Sequence, residues 1–186
     1  SHIKMKKLIT LFAFSIILLI INSCNNNDQV IVDIKPGFEK YISGFTSGDQ
    51  LSRSTKFAIR FTHDVNDSIT KGQIADDEAF DFSPNITGKA YWIDKRNLEF
   101  VPSELLESGK VYTVNFDLSK FIEVPAEYSL LEYQVKTIEQ SFRFIDLGIS
   151  TYELDMQWLK YDGEIMVADI ADAESIEKML EVKLLN

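Results

Sequence analysis

Thiol and imidazole groups are scarce in this 186-residue chain, which limits the chemistry that it could perform. The sequence contains one cysteine, Cys24, and two histidines, His2 and His63. A disulfide within the chain is therefore excluded, and so is a metal site built from several Cys and His ligands. A Ser-His-Asp arrangement in the body of the chain would have to use His63.

Carboxylates are more abundant, but their spacing does not indicate a reactive site. The run Asp76-Asp77-Glu78 could bind calcium, which takes about six to eight oxygen ligands, yet it does not match an EF-hand loop and is more typical of a solvated loop. Asp64, Asp67 and Asp81 have the spacing of ordinary turn residues rather than of paired catalytic acids. We therefore predict no catalytic residue, no metal and no cofactor, and we expect that the protein is not an enzyme.

Two surface features could take part in carbohydrate chemistry. Tyr91, Trp92 and Trp158 could form a platform for stacking sugars, but strand alternation places Tyr91 and Trp92 on opposite faces. The triplet Asp67-Ser68-Ile69 resembles the O-glycosylation site of exported Bacteroidetes proteins and falls in a polar turn. Ser68 is therefore a candidate glycosylation site.

The N-terminal residues have the pattern of an export signal. Residues 1–4 precede Met5 and look like a remnant, and Lys6 and Lys7 then form a basic region. The apolar run 8–21 has 14 residues, whereas a membrane-spanning helix needs about 20. This length fits the apolar region of a signal peptide, so we predict a signal peptide helix within residues 1–23.

The end of the apolar run resembles the lipobox of bacterial lipoproteins. It reads Ile21-Asn22-Ser23-Cys24, with an aliphatic residue three places before the cysteine and a small residue directly before it. The resemblance implies a diacylglyceryl thioether on Cys24, cleavage before it and acylation of the new amine. Residues 24–37 would then be the lipidated cysteine and a polar tether. Because Asn25 rather than Asp follows Cys24, we expect an outer-membrane lipoprotein that faces the periplasm or the cell surface.

The charge of the chain argues against anionic partners. The formal charge is −10, and removal of residues 1–23 would take away three lysines and no acid, which leaves 16 basic and 29 acidic residues. A surface this acidic repels phosphate backbones, so we predict no nucleic-acid partner. Contact with a membrane is expected through the lipid anchor and not through charge.

Short strands dominate the sequence beyond the tether. Alternating polar and apolar residues predict strands at 29–34, 56–61, 80–82, 89–93, 97–101, 111–116 and 128–138. This spacing is typical of an all-β, Ig-like β-sandwich, which we place at residues 38–138. The residues expected in its core are Phe57, Ile59, Phe61, Trp92, Leu98, Phe100, Tyr112 and Val114.

The central part of this segment resembles the bacterial Ig-like domain. The markers are Phe82-Ser83-Pro84, Ile86, Gly88, Trp92, Leu98-Glu99-Phe100-Val101-Pro102, Leu105-Leu106, Ser108-Gly109 and Tyr112-Thr113-Val114. We expect Pro84 to end an edge strand, Gly88 to adopt a positive φ and Ser108-Gly109 to form a turn.

The last third of the chain extends the resemblance. Three predicted strands at 142–147, 154–159 and 163–170, followed by a helix from Asp172 or Ala173, resemble the start of a macroglobulin-type β domain. A lipobox, an Ig-like domain and a further β domain follow in the order found in Bacteroidetes-type α2-macroglobulin lipoproteins. The resemblance implies that residues 139–186 begin a second, incomplete domain. It also implies a non-catalytic, membrane-anchoring scaffold of a protease inhibitor that traps proteases through the rest of a longer protein.

One family motif is incomplete, and one alternative function stays open. The segment Thr137-Ile138-Glu139-Gln140 ends like the thioester motif Cys-x-Glu-Gln of macroglobulins, but a threonine hydroxyl cannot form the thioester. The alternative to the trap scaffold is a free-standing surface lipoprotein whose Ig-like domain serves adhesion or glycan binding.

The lipobox resemblance generates a direct prediction. The Cys24→Ala variant should lose its acyl chains and leave the membrane fraction, because each buried methylene contributes about 0.8 kcal/mol to anchoring. Metabolic labelling with an alkyne fatty acid, followed by fractionation, measures both effects. A wild-type protein that takes up no label would contradict the assignment.

Overall fold

The computed structural model describes residue 30, residues 32–152 and residues 155–181, without the side chains of residues 152 and 155–158. The predicted signal peptide, Cys24 and residues 25–29 and 31 of the predicted tether therefore lie outside the described residues. Residues 30 and 32–34 form no strand, so the strand expected at 29–34 is not present in this part of the chain.

Eight strands form two facing sheets of four strands each. They are β1 (Ile42–Phe45), β2 (Gly48–Leu51), β3 (Phe57–Phe61), β4 (Phe80–Ser83), β5 (Gly88–Trp92), β6 (Asn97–Pro102), β7 (Val111–Asp117) and β8 (Leu130–Thr137). The strand orders are β1-β3-β6-β5 and β2-β8-β7-β4. All pairs are antiparallel except β2 with β8, which is parallel.

This topology is that of an immunoglobulin-like sandwich. The first sheet corresponds to strands A-B-E-D, and β4, β7 and β8 correspond to strands C, F and G of the second sheet. The first strand of the fold is divided, since β1 joins one sheet and β2 joins the other. The expected all-β, Ig-like fold class is confirmed.

Strand alternation selects the core. In β7, Tyr112, Val114 and Phe116 face inward while the residues between them stay partly exposed. All eight core residues expected from the sequence are at most 4% exposed. That prediction is confirmed, because a period of two places every second side chain of a strand on the buried face.

Aromatic rings join the two sheets. Phe82 on β4 lies 4.8 Å from Phe57 on β3 and 4.8 Å from Phe100 on β6, measured between ring centroids. Phe80 lies 5.3 Å from Phe100 in the opposite sheet and 4.8 Å from Phe116 in its own. Rings at these distances add about 0.5–1.5 kcal/mol per pair to the free energy of burial.

A tyrosine corner fixes the start of β7. The Tyr112 hydroxyl accepts a hydrogen bond from the backbone N–H of Glu107, five residues upstream, over 3.0 Å. Immunoglobulin domains use this arrangement near the start of strand F, with a cysteine two residues further on. Here that position is Val114, which is fully buried.

Of the three expected roles of proline and glycine, the structure bears out those of Pro84 and Gly109 and not that of Gly88. Pro84 directly follows β4, which is an edge strand as expected. Gly88 does not have a positive φ, so that expectation was wrong; a Cβ there would lie 2.4 Å from the Val101 carbonyl oxygen and 2.6 Å from the Phe100 ring. Close packing, and not backbone conformation, requires glycine at residue 88. Gly109 does have a positive φ, of 64°, in the expected turn.

Beyond the sandwich, the chain forms a long hairpin and a short helix. The hairpin consists of β9 (Phe142–Tyr152) and β10 (Asp155–Val167), and the helix α1 (Ala173–Met179) is N-capped by Asp172. The sequence predicted three strands here, but the second and third are one strand, since β10 continues through a bulge at Asp162/Gly163. The turn residues around Gly163 thus produce an irregularity in pairing rather than a chain reversal.

The position of Phe100 generates a stability prediction. Phe100→Ala should lower the free energy of unfolding by about 3–5 kcal/mol, because the ring fills the space between the sheets. The same substitution at Phe142, which is 70% exposed, is the matched control and should cost under about 1 kcal/mol. Urea unfolding monitored by tryptophan fluorescence measures both values. Equal costs at the two positions would show that the strand faces are assigned incorrectly.

Candidate functional site

The candidate glycosylation residue lies on an exposed loop between β3 and β4. The backbone N–H and the hydroxyl of Ser68 both donate to the Asn66 side-chain oxygen, each over 2.9 Å. The neighbouring Asp67 pairs with Lys95 at 2.7 Å, and the hydrogen bond and charge of Lys95 lower the pKa of Asp67. The Ser68 hydroxyl is at the surface, and its modification stays a prediction.

The acidic run after β3 is tied to a lysine. Asp76 caps a short 3-10 helix by accepting from the Glu78 backbone N–H over 3.0 Å. Lys120 contacts Asp76 at 3.0 Å and Glu78 at 3.5 Å, and the hydrogen bond that Lys120 donates to Asp76 raises the pKa of Lys120. Asp76 and Glu78 therefore share an ammonium partner, and the residues that the structure describes include no cluster of three or more potential metal ligands.

The structure does not assemble the other polar residues into one reactive site. Asp64 pairs with Arg96, and Asp81 accepts from the Asn115 amide over 3.4 Å. His63 is exposed, and its Nδ1 lies 3.0 Å from the hydroxyl of the adjacent Thr62. These interactions are those of ordinary surface loops.

The possible sugar platform is not formed by the residues that the structure describes. Trp92 is 4% exposed and packs against Phe61 and Phe121 at ring distances of 5.9 and 5.4 Å. Tyr91 lies on the opposite, outer face, as the alternation predicted. The side chain of Trp158 is outside the described residues.

A site that the sequence did not reveal lies where the sandwich meets the hairpin. Asp169, just after β10, accepts from the Ser52 hydroxyl over 2.7 Å and from the Arg53 backbone N–H over 2.6 Å. Ser52 and Arg53 form the turn between β2 and β3. One carboxylate thus fixes the end of the hairpin to the edge of the sandwich.

The side chain of Gln140 binds the backbone of Asp169. The Gln140 side-chain amide accepts from the Asp169 N–H over 3.0 Å and donates to the Asp169 carbonyl over 3.2 Å. Its own backbone N–H donates to the Ser108 hydroxyl over 2.6 Å. We refer to Ser52, Arg53, Ser108, Gln140 and Asp169 as the joint.

Thr137 supports the joint from inside the sandwich. It is 1% exposed, and its hydroxyl donates to the Glu107 carbonyl over 2.6 Å and accepts from the Lys110 N–H over 2.9 Å. The segment that resembles a thioester motif therefore has a structural role at Thr137 and a joining role at Gln140.

The joint also determines the charge state of its carboxylate. Partial burial by itself would raise the pKa of Asp169, but the hydrogen bonds from Arg53 and Ser52 outweigh it and lower that pKa below the usual value of 3.8. The ionised form is the one that accepts both hydrogen bonds. The joint is therefore strongest above the pKa of the unfolded chain and weakens as the pH falls through the depressed value.

Comparisons with known proteins assign no family to this chain. The sequence matches no known family profile and no curated protein. Among solved structures, L,D-transpeptidase 3 from Mycobacterium tuberculosis in complex with a faropenem-derived adduct has a TM-score of 0.38 and 14% identity. That match covers 60% of this chain and 42% of the transpeptidase, so the chain spans less than half the length of that protein. A second structure of the same transpeptidase has a TM-score of 0.37, also at 14% identity.

The architecture defines the class of the protein. The described residues form an all-β structure, in which an Ig-like sandwich is joined to a two-stranded β-hairpin that is followed by a short helix. In the part of the chain that the structure describes, no helix has the length and apolar character needed to span a membrane.

The joint generates a prediction for Asp169. Asp169→Asn should loosen the hairpin, because an amide cannot accept both hydrogen bonds as the carboxylate does, and a buried donor left without a partner costs about 1–3 kcal/mol. Hydrogen exchange should show lower protection factors in β9 and β10 and little change in β3 and β7. Asp162→Asn on the hairpin surface is the control and should leave protection unchanged.

Acidification should reproduce the effect in the wild-type protein. Protection factors of the hairpin, corrected for intrinsic exchange rates, should fall as the pH drops below about 4, where unfolded carboxylates bind protons first. The Asp169→Asn variant should lose this step. A hairpin that responds to acid equally in both proteins would contradict the role of Asp169.

Proposed function

We propose that the chain is a non-catalytic, lipid-anchored scaffold at the N-terminus of an α2-macroglobulin-like protease trap. The observation that carries this proposal is the placement of the two ends of the sandwich. The N-terminal segment enters at one end of β8, and the hairpin leaves from the other.

The entry end is fixed by aromatic and ionic contacts. Phe38 packs edge-on against Tyr128 at 5.3 Å, and Tyr128 lies two residues before β8. Lys35 contacts Glu127 at 3.2 Å and lies 4.9 Å from the centre of the Tyr128 ring. The end of the predicted tether, at Lys35, and the adjoining Phe38 are therefore held against the sandwich before β1 begins.

The exit end is the joint. Gln140 lies three residues after β8, which is eight residues long and therefore spans about 26 Å at about 3.3 Å per residue. Connections between domains are mobile by default unless specific contacts fix them. Here four hydrogen bonds to Asp169 fix the connection. A rigid spacer with its anchor at one end and its next β element at the other suits a scaffold in a series of β domains.

The alternative function has weaker support from the described residues. Adhesion or glycan binding by the Ig-like domain would be favoured by an exposed aromatic platform, but Trp92 is buried between the sheets. The trap scaffold is therefore the function that we propose.

The native gene product provides the test. An antibody raised against the purified sandwich should detect, in membranes of the source cells, a polypeptide far larger than 21.3 kDa. Adding a protease to that polypeptide should cleave it and change its mobility on a native gel as it closes around the enzyme. A product no larger than the chain itself would favour the free-standing lipoprotein.

The isolated chain should be inactive in the same assay. Trapping requires a cleavable bait segment and a subsequent collapse, and the sequence of this chain resembles the start of a trap rather than those parts. Residues 24–186 incubated with serine, cysteine and metalloproteases should therefore leave their activities unchanged. Tight stoichiometric inhibition by this fragment would overturn the proposed mechanism.

A further inference from the structure

One face of the hairpin is largely apolar; its polar members are Asp146, opposite Gly163, and Thr151, opposite Leu159. Directly opposed residues share a face of an antiparallel pair, and the pairs Phe142/Val167 and Phe144/Ile165 lie on one side. Beyond the bulge, the pair Ile149/Tyr161 continues the same side, since Tyr161, Gly163 and Ile165 alternate along β10. The Phe144 ring lies over Gly163 and 6.4 Å from the Tyr161 ring. We call this surface the apolar face; its residues are Phe142, Phe144, Ile149, Leu159, Tyr161, Ile165 and Val167.

The described residues leave most of this face uncovered. Phe142 is 70% exposed, and Ile149 and Leu159 are each 69% exposed. A two-stranded sheet is marginally stable on its own in water, and contiguous exposed apolar surface marks an interaction site. The apolar face therefore has the properties of one layer of a sandwich whose second layer is supplied from elsewhere.

The helix covers only the base of the face. Ile176, Met179 and Leu180 line a groove of about 110 Å³ together with Phe142 and Val167. Met179 and Leu180 are themselves 68% and 53% exposed. The helix thus widens the apolar surface at its base and leaves the distal part, around Ile149 and Tyr161, open.

The net charge of the segment that carries the apolar face selects among possible binding partners. Residues 139–186 contain eleven acidic and four basic side chains, a net charge of −7 within a chain of formal charge −10. A second copy would bring two such surfaces together, and like charges at an interface cost free energy. An anionic membrane surface would be repelled for the same reason. A partner surface with a rim of basic side chains would instead be attracted to this acidic segment.

The shape of the surface points to a sheet. Both outer edges of the β9–β10 pair are free in the described sheet, which consists of two strands only. Sheets pack face to face with their strands aligned to within about 30°, with interdigitating side chains. The Phe144 ring occupies the space over Gly163 that a Cβ would fill, so no side chain of residue 163 projects from this face.

We propose that the apolar face binds the apolar side of a β-sheet whose rim carries lysine or arginine, on a partner polypeptide. The interaction combines burial of the exposed Phe, Ile, Leu and Tyr side chains with charge attraction at the rim. It rests on the hairpin alone and holds whether or not the chain is part of a protease trap.

A synthetic amphipathic hairpin serves as the probe. It consists of two strands joined by an Asn-Gly turn, in which valine alternates with serine so that all valines lie on one face. Lysines at both ends of each strand form the rim of that face. Titrated into the acylation-deficient Cys24→Ala protein without its leader, it should shift the NMR amide signals of β9 and β10 and not those of β3 or β7. Its affinity should fall at least about tenfold between low and high salt, because the rim charges are exposed.

Two control peptides separate the contribution of the rim charge from that of the apolar face. A peptide with glutamate in place of lysine keeps the apolar face but reverses the rim, and it should bind at least about tenfold more weakly. A peptide with the same composition in scrambled order lacks a continuous apolar face and should not bind. Equal binding by all three peptides would show non-specific adsorption and would overturn the proposal.

Variants of the protein test the face itself. Ile149→Asp places a charge in the middle of the face at a residue 69% exposed, so the hairpin can keep its fold, and it should abolish binding. Leu130→Asp, at a residue 51% exposed on the sandwich, is the matched control and should bind like wild type. Unchanged far-UV circular dichroism verifies that both variants are folded.

Two further measurements test whether a second copy of the chain or a membrane covers the apolar face instead. Sedimentation should show a monomer at low salt, and vesicles containing anionic lipid should not bind the non-acylated protein. A dimer that dissociates on Ile149→Asp would identify a second copy as the occupant and overturn the proposal. Vesicle binding that is lost in the same variant would likewise assign the face to a membrane.

Discussion

The packing of aromatic rings between the two sheets is the interaction on which the structure depends. Immunoglobulin domains commonly link their sheets through a disulfide between strands B and F, but the only cysteine of this chain lies in the predicted lipobox. Val114 occupies the position of the strand F cysteine. Across the interface, Phe82 lies 4.8 Å from Phe57 and 4.8 Å from Phe100, measured between ring centroids. Burial of large rings thus performs the cross-sheet function that a covalent bond has elsewhere in the fold.

This constraint explains why the sequence predicts the core well and the sheet edges poorly. Strands that bury one face alternate strictly, so β3, β6 and β7 are visible in the sequence. The divided first strand is not, because β1 and β2 are four residues each, contain Gly44 and Gly48, and pair in different sheets. Their conformation follows from the neighbours β3 and β8, which no local pattern encodes.

The joint could not be found from the sequence for a related reason. Ser52 and Asp169 are 117 residues apart, and neither belongs to a motif. In the sequence, Gln140 stands out only as the last residue of an incomplete thioester motif. In the structure, its side-chain amide makes two hydrogen bonds to the Asp169 backbone, as a paired strand would. Side-chain hydrogen bonds between distant loops depend on the fold being formed first, so only the sandwich makes the role of these residues visible. The acidic loops that the sequence did single out have ordinary surface partners instead.

The sandwich and the hairpin therefore follow different physical rules. The sandwich encloses its apolar side chains between its own two sheets, and its alternation can be interpreted without a partner. In the hairpin, the same alternation produces an apolar face with no second layer among the described residues, and β9 and β10 rely on the joint at their base for their position. The surplus of acidic residues in this part of the chain disfavours association between copies, which an exposed apolar sheet would otherwise promote. The same electrostatic argument does not disfavour association with a partner of opposite charge.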